Sequence, residues 1–245
     1  MKDVEGGTPV DRDKDLPLIL ALDLDTLAGA RGTLDIVRDR IRYVKIGPRL
    51  FALGGVPFVT EMVDYGFKVF LDLKLHDIPN TIRLAVQAFS DIGLWSLTLH
   101  AAGGRRMLEE AVSARDRSRS SMKLFGISVL TSFDDRLWNE ATPGCPMTDA
   151  LRSRSWLCDD VGLDGVVCSP LDLPIIGEGR EGFLKVVPGV RLASSEDDQT
   201  RVATPAQAFK NGADYVVMGR PIYRADDLDQ AMDRITSSIK EGLLS

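Results

Sequence analysis

The chain is poor in the residues that build metal centres and disulfide frameworks. Its 245 residues include two histidines, His76 and His100, and three cysteines, Cys145, Cys158 and Cys168. An odd number of widely spaced cysteines suggests neither a disulfide framework nor a zinc site, so we expect reduced thiols. With so few imidazoles, a histidine-rich metal site is nearly excluded, and we expect no bound metal.

Excess positive charge and long apolar runs are also lacking. The formal net charge is −6, which argues against a nucleic-acid partner, because phosphate backbones are bound by basic surfaces. A small anionic substrate needs only a few local cations and is still compatible. No apolar run approaches the ~20 residues of a membrane span. Residues 1–15 are polar and lack the apolar segment of a signal peptide. We therefore expect a cytoplasmic protein without membrane contact.

Eight short apolar runs alternate with segments that can form helices, and this order predicts a parallel α/β sheet. The runs are 16–24, 43–46, 68–73, 95–99, 124–129, 165–168, 184–187 and 215–218. Eight units predict a single (β/α)8 TIM barrel over residues 16–245, preceded by a flexible extension over residues 1–15. Such a barrel typically needs ~250 residues. An open, doubly wound sheet of seven units is the alternative.

Three helices and two long loops can be placed from local signals. A proline begins the first predicted helix, 79–93, and a glycine closes it. We expect the others near 204–212 and 226–239. The longest irregular segments, 132–147 and 192–203, each follow a strand. They should therefore lie on the barrel face that carries active sites, where long loops can act as lids.

Charged residues cluster at the ends of the first three predicted strands. Because strand side chains alternate between faces, Asp72 and Lys74 should point into the barrel while the leucines beside them point outwards. Lys45 and Asp23 extend this pair into an array of alternating sign, with Asp77 just beyond. A structural ion-pair network is the alternative to an active site. A lysine held between carboxylates stays protonated, so Lys74 is interpreted as a proton donor and not as a Schiff-base nucleophile.

An arginine close to a glycine follows each of the last two strands. Arg191 follows Gly189 after the seventh strand, and Gly219-Arg220 follows the eighth. Barrels often bind phosphate near these two strands, and arginine can hold a phosphate with two hydrogen bonds. A surface arginine is the commoner explanation for either residue alone. The positions of these two arginines, just after the last two strands, favour a phosphate site.

A ten-residue segment, DLKLHDIPNT over residues 72–81, closely resembles the signature of the orotidine 5′-monophosphate (OMP) decarboxylase family. Shorter segments in family order support this resemblance and together span about 18–225. They are residues 21–23, 44–47, 99–104, 129–132, 188–191 and 218–221. The long motif is highly specific, whereas each short segment alone is a modest match.

The resemblance implies a homodimeric barrel that converts OMP to uridine 5′-monophosphate (UMP) in de novo pyrimidine biosynthesis, without a cofactor or metal. By matched position, Lys74 would donate a proton to C6 of the pyrimidine, and Asp72 would lie beside the departing carboxylate. Asp23 and Lys45 would hold the ribose hydroxyls. Asp77 would reach into the partner subunit's site.

The resemblance also implies contacts to the base and to the phosphate. The base contacts are Thr131 and Ser132. The phosphate contacts are Arg191, Gln199, Gly219 and Arg220. Gln199 would bridge towards the base, and Thr81, at the end of the motif, would be a further substrate contact. We interpret His76 and His100 as structural.

Two other activities are compatible with parts of this sequence. A magnesium-dependent sugar-phosphate decarboxylase or aldolase of the same superfamily would share the Asp-x-Lys-x-x-Asp core. Such enzymes typically carry a glutamate where Lys45 stands, and an ammonium there would repel a divalent cation. The second alternative is a noncatalytic barrel that binds phosphate ligands. Simple binding would not need paired charges inside the barrel.

Overall fold

Eight parallel strands close into a barrel in the computed structural model, which describes residues 15–192 and 203–244. The strands are β1 (Leu18–Ala21), β2 (Tyr43–Ile46), β3 (Lys68–Leu75), β4 (Ser96–His100), β5 (Lys123–Ile127), β6 (Gly165–Val167), β7 (Leu184–Pro188) and β8 (Tyr215–Met218). Each strand pairs with its neighbours in chain order, and β8 closes the barrel on β1. The predicted TIM barrel is confirmed, and the open sheet is excluded.

Helices cover the outside of this barrel. They are α1 (Leu27–Val37), α2 (Pro48–Asp64), α3 (Pro79–Phe89), α4 (Gly104–Arg117), α5 (Asp135–Ala141), α6 (Met147–Asp160), α7 (Leu173–Ile176), α8 (Pro205–Lys210), α9 (Arg220–Tyr223) and α10 (Leu228–Leu243). Prolines begin α3 and α8 as predicted, and Thr204 caps α8 by accepting a hydrogen bond from the Gln207 backbone. The last helix runs four residues beyond its predicted end at 239. None of the described helices is long and apolar enough to cross a membrane.

Aromatic side chains fill the barrel interior on the side away from the carboxyl ends of the strands. Tyr43, Phe70, Trp95, Phe125 and Tyr215 pack edge to face, with the Trp95 ring 4.8 Å from Tyr43 and 5.1 Å from Tyr215 between centroids. We call these five residues the aromatic floor. The leucine, valine and isoleucine side chains on the opposite face of each strand pack against the helices. Functional groups at the carboxyl ends of the strands therefore stand on a closed, apolar base.

The segment 132–147, predicted to be irregular, instead contains helix α5. Asp134 caps this helix by accepting from the backbone N–H of Leu137 at 2.7 Å. Trp138 is 4% exposed, packs in a small core above β5, and donates from its indole to the Cys145 carbonyl at 2.7 Å. The prediction was wrong because the prolines and glycine near 143–146 mark only the end of the segment, and α5 has no long apolar repeat.

Two predicted segments fall mainly outside the described residues. Residues 1–14 of the predicted extension are outside, and Asp15 forms an ion pair of 2.9 Å with Lys68 at the start of β3. The loop 192–203 is described only at its two ends, where Val190 forms a β-bridge with Ala203. Gln199 therefore lies outside the described residues.

Candidate active site

A cavity of about 330 Å³ opens above the aromatic floor, at the carboxyl ends of the strands. One side is charged and is formed by residues from β1, β2 and β3. The opposite side is formed by the segments that follow β7 and β8. The predicted site residues that line it are Asp23, Lys45, Asp72, Lys74, Thr131, Ser132, Arg191, Gly219 and Arg220. Pockets for small molecules commonly occupy ~300–1,000 Å³, so this cavity is large enough for one.

Asp72 is the centre of the charged side. Its Oδ2 lies 2.8 Å from Nζ of Lys74 and 3.5 Å from Nζ of Lys45. Its Oδ1 accepts a hydrogen bond of 3.1 Å from the Thr98 hydroxyl. Burial by itself raises the pKa of Asp72, but the two ammonium groups and the hydrogen bonds from Lys74 and Thr98 outweigh it, so the pKa lies below its ordinary value. The carboxylate is therefore ionised at neutral pH although it is 7% exposed.

Lys74 has an unusual backbone conformation. Its φ of 51° lies in the left-handed region, which residues with a Cβ rarely adopt. Leu71 pairs with Leu97 and Leu75 pairs with Leu99, so β3 takes four steps where β4 takes two. The strand thus bulges where Lys74 leaves it, and the backbone N–H of Lys74 donates to the Thr98 hydroxyl at 2.8 Å. The bulge turns the Lys74 side chain over Asp72.

Lys45 connects the outer and inner carboxylates. Its Nζ lies 3.4 Å from Oδ1 of Asp23 and 3.5 Å from Oδ2 of Asp72. The Lys45 side chain is 13% exposed, whereas that of Asp23 is 60% exposed and faces the mouth of the cavity. The ammonium thus lies where a cation bridging the two carboxylates would sit. Among the described residues, no group of three or more histidine, cysteine or acidic side chains is arranged to hold a metal ion.

The opposite side of the cavity carries the two predicted arginines. Arg220 is the first residue of α9, and Gly219 precedes it. A Cβ on Gly219 would lie 3.2 Å from the Ala21 carbonyl oxygen and 3.3 Å from the Ala21 Cβ, so glycine lets this turn pack against the end of β1. Arg191 is buried, and its backbone N–H donates to the Ala203 carbonyl at 3.0 Å. The cavity therefore has a cationic end suited to an anionic group.

A third wall follows β5 and includes Thr131 and Ser132, as predicted. Thr131 is half-buried and Ser132 is exposed at the rim. Ser128, three residues before Thr131, is fully buried, and its hydroxyl donates to the Val167 carbonyl at 3.1 Å. Hydroxyl groups on this wall could exchange hydrogen bonds with the polar edge of a planar base.

Asp77 and Thr81 do not line the cavity of their own chain. Asp77 is exposed just after β3, and its carboxylate accepts from the backbone N–H of Ile78 at 2.6 Å. Thr81 is exposed in the first turn of α3. Neither residue is therefore placed to contact a ligand in that cavity in this structure.

The two histidines stack beside the charged side of the cavity. The rings of His76 and His100 have centroids 5.3 Å apart and planes inclined by 20°. Nδ1 of His100 accepts from the backbone N–H of Ala102 at 3.2 Å. Burial, together with the smaller effects of the charges of Arg154, His76 and Lys74, lowers the pKa of His100 to about 4. His100 is therefore neutral at physiological pH and supports the turn after β4.

Thr98 was missed in the sequence. It lies on β4 with its hydroxyl between Asp72 and the backbone of Lys74, and it is fully buried. Threonine is common in strands because of its branched Cβ, so a threonine at this position did not by itself indicate a polar role. The available signal was alternation, since Ser96, Thr98 and His100 place three polar side chains on one face of an otherwise apolar strand.

Comparison with known proteins agrees with this geometry. Residues 16–235 match the Orotidine 5'-phosphate decarboxylase / HUMPS family. The chain is 39% identical over 225 residues to the orotidine 5'-phosphate decarboxylase of Dichelobacter nodosus, with 91% of this chain and 98% of that protein covered. It is 41% identical over 232 residues to the enzyme of the same name from Vibrio cholerae serotype O1, with 92% and 99% covered.

Solved structures give the same result. The crystal structure of orotidine 5'-phosphate decarboxylase from Lactobacillus acidophilus has a TM-score of 0.76 and 33% identity, and the match covers 92% of this chain and 99% of that one. An uncharacterized conserved protein from Geobacillus kaustophilus has a TM-score of 0.79 and 33% identity, with 91% and 100% covered. From its sequence, its closed barrel and the charged array at the strand ends, the chain belongs to the orotidine 5'-phosphate decarboxylase / HUMPS family.

Proposed function

We propose that this protein is an OMP decarboxylase, a carboxy-lyase that forms UMP and carbon dioxide in pyrimidine biosynthesis and needs no cofactor or metal. The observation that carries the proposal is the continuous array Asp23–Lys45–Asp72–Lys74, in which each neighbouring pair of charges lies within 3.5 Å. The relatives named above bear this enzyme name, and this chain matches them over nearly their whole length. A biosynthetic reaction on a soluble nucleotide is consistent with the expected cytoplasmic location.

The cavity suggests one orientation for the nucleotide. Its phosphate would bind at the cationic end, where Arg191 and Arg220 lie, and Gly219 would allow its oxygens close to the backbone. Its ribose hydroxyls would meet Asp23 and Lys45 near the mouth. The pyrimidine would then lie between the Thr131–Ser132 wall and the Asp72–Lys74 pair. Gln199, in the segment outside the described residues, remains a proposed contact between phosphate and base.

Lys74 would supply the proton of the reaction. The bond between C6 and the carboxyl carbon breaks, carbon dioxide leaves, and the electron pair stays on C6. The ammonium of Lys74 stabilises this developing negative charge and then transfers a proton to C6. The neutral amine regains a proton from solvent after the product leaves. Asp72 holds Lys74 in place, since its Oδ2 lies 2.8 Å from the ammonium.

Asp72 would also act on the substrate directly. The carboxylate of OMP at C6 has to lie near Lys74 if that lysine is to protonate C6, and it therefore lies near the ionised Asp72. Two carboxylates at close range repel each other, and the repulsion is relieved when carbon dioxide leaves. Binding of the phosphate at the far end would provide the free energy that holds the substrate in this position.

The homodimer forms part of the proposal. Asp77 lies just beyond β3, is exposed, and does not line its own cavity. Ile78 beside it is 66% exposed and would be covered if a second chain packed at this position. We place Asp77, and with it Thr81, at the active site of the partner subunit. Each active site would then be built from two chains.

The magnesium-dependent sugar-phosphate decarboxylase or aldolase is the second candidate, because residues 72–77 carry the Asp-x-Lys-x-x-Asp core that such enzymes share. The position of Lys45 speaks against it. Its ammonium lies within 3.5 Å of both carboxylates that a magnesium ion would need at this place, Asp23 and Asp72. A divalent cation would have to displace this lysine against charge repulsion.

Turnover of OMP by the purified protein tests the proposal. Decarboxylation changes the ultraviolet absorbance of the pyrimidine, and the reaction is followed with a chelator present. We expect turnover that the chelator does not reduce. No turnover of OMP would overturn the proposal, and activity that requires added magnesium would favour the second candidate.

A further inference from the structure

We infer that Arg154 is a positioning residue that holds the Thr131–Ser132 wall against the pyrimidine. This inference rests on the proposed function. Arg154 lies on α6 and does not line the cavity. Its Nη1 donates to the carbonyl of Ser128 at 2.9 Å, three residues before Thr131.

The Ser128 carbonyl needs such a partner. Strand β5 ends at Ile127, so the next carbonyl has left the ladder of the sheet, and Ser128 is 0% exposed. A buried carbonyl without a hydrogen bond is costly, and a guanidinium makes a stronger bond to it than a neutral donor does. The end of β5 is therefore fixed from one side by Val167, which accepts from the Ser128 hydroxyl, and from the other by Arg154.

Arg154 also joins this strand end to helix α5. Its guanidinium carbon lies 5.1 Å from the centroid of the Trp138 ring, within the range of a cation–π contact. Trp138 is buried in the small core that also contains Val129, which lines the cavity. One half-buried side chain thus contacts both ends of the segment that carries Thr131 and Ser132.

The charge of Arg154 also acts on His100 at the end of the neighbouring strand β4. The charge of Arg154 is the largest of the charges that lower the pKa of His100, after the effect of burial. His100 ends β4 and stacks on His76, which follows Lys74 by two residues. Arg154 therefore lies between the wall at the base and the strand end next to the proton donor, where a small displacement would alter the fit of the pyrimidine.

The test compares two inhibitors that differ in the base. Inhibition constants of UMP and of ribose 5-phosphate are measured for wild type, Arg154→Met and Arg154→Lys. We expect Arg154→Met to raise the inhibition constant of UMP about tenfold, because one charge-assisted hydrogen bond is lost. The inhibition constant of ribose 5-phosphate should not change, because this ligand has no base. Arg154→Lys, which keeps a cationic donor, should recover most of this loss.

A matched control is present on the same helix. Arg152 is exposed and makes no hydrogen bond or ion pair within the part of the chain that the structure describes. Arg152→Met should leave both inhibition constants at wild-type values.

Turnover of OMP by the wild type establishes the proposed function separately. If the wild type turns over OMP, two results for Arg154→Met would overturn the inference. One is an equal rise in both inhibition constants, and the other is an unchanged inhibition constant of UMP. If Arg154→Met does not fold, Arg154→Gln takes its place, and weaker binding of UMP with unchanged binding of ribose 5-phosphate is expected in the same way.

Discussion

The hydroxyl of Thr98 donates to Asp72 at 3.1 Å and at the same time accepts the backbone N–H of Lys74 at 2.8 Å. One side chain from β4 thus fixes the carboxylate and the left-handed bulge from which the neighbouring ammonium extends. The Asp72–Lys74 geometry therefore depends on a residue that carries no charge.

Replacing Thr98 with valine should slow the reaction more than it weakens binding. The variant keeps the branched shape but removes the hydroxyl, so Asp72 and the bulge lose their common partner. We expect kcat to fall about tenfold to a hundredfold, with KM changed much less. The control is Ser96→Ala on the same strand, because the buried Ser96 hydroxyl has no hydrogen-bond partner among the described residues. Equal effects of the two substitutions on kcat would contradict this role.

Lys74→Ala should abolish decarboxylation while UMP binding largely survives. The substitution removes the proposed acid, and a positioned acid alone accounts for about 10²–10⁴-fold in rate. Initial rates with OMP and equilibrium binding of UMP measure the two effects. Lys68→Ala, at the opposite end of β3, removes an ammonium paired with Asp15 and should leave the rate unchanged. Activity near wild type in Lys74→Ala would exclude this lysine as the acid.

Glycine should be tolerated better than alanine at position 74. The left-handed backbone of Lys74 costs a residue with a Cβ about 1–2 kcal/mol, whereas glycine adopts it freely. We expect Lys74→Gly to have a higher free energy of unfolding than Lys74→Ala, measured by urea denaturation. At Lys68, in the regular part of β3, the order should reverse because glycine weakens a strand. If Lys74→Gly is no more stable than Lys74→Ala, the bulge stores no strain.

His100 should make the fold sensitive to mild acid. Its pKa is lowered from 6.5 to about 4 in the folded chain, so between these values the unfolded chain binds the proton and the folded chain does not. The free energy of unfolding should therefore fall as pH decreases from 6.5 towards 4. His100→Asn keeps an acceptor for the Ala102 N–H and removes this titration, so its unfolding free energy should fall less over that range. Parallel pH profiles for the two proteins would rule out His100 as the source.

Mixing two inactive variants tests the shared site. In a hybrid of Asp77→Ala and Lys74→Ala chains, one of the two active sites has both residues intact. With free exchange of subunits, a symmetric dimer should regain activity in about a quarter of all sites. Recovery is measured after the mixture is incubated, with each variant alone as the control. If subunits exchange and no activity returns, Asp77 does not serve the partner.

Much of the barrel and of its charged side could be predicted because both follow from periodicity. Alternating apolar runs give the strands, and the carboxyl ends of parallel strands meet at one face, so Asp23, Lys45, Asp72 and Lys74 could be placed together. The left-handed backbone of Lys74 could not be predicted, since alternation gives the face of a residue and not its φ angle.

Contacts between distant elements were the second limit. Arg154 is one of two arginines on α6, and only the folded chain brings it to the Ser128 carbonyl. Helix α5 was missed because it is short and is held by the burial of Trp138, which local sequence does not reveal. In both cases tertiary packing decides the structure.

The aromatic floor bears on how carbon dioxide would leave the enzyme. Five packed rings close the barrel axis below Asp72, so the gas formed beside Lys74 has no route through the centre of the fold within the described residues. It has to depart through the same opening that admitted the nucleotide. Carbon dioxide and UMP would therefore share one exit, and the gas would have to pass the nucleotide or follow it out.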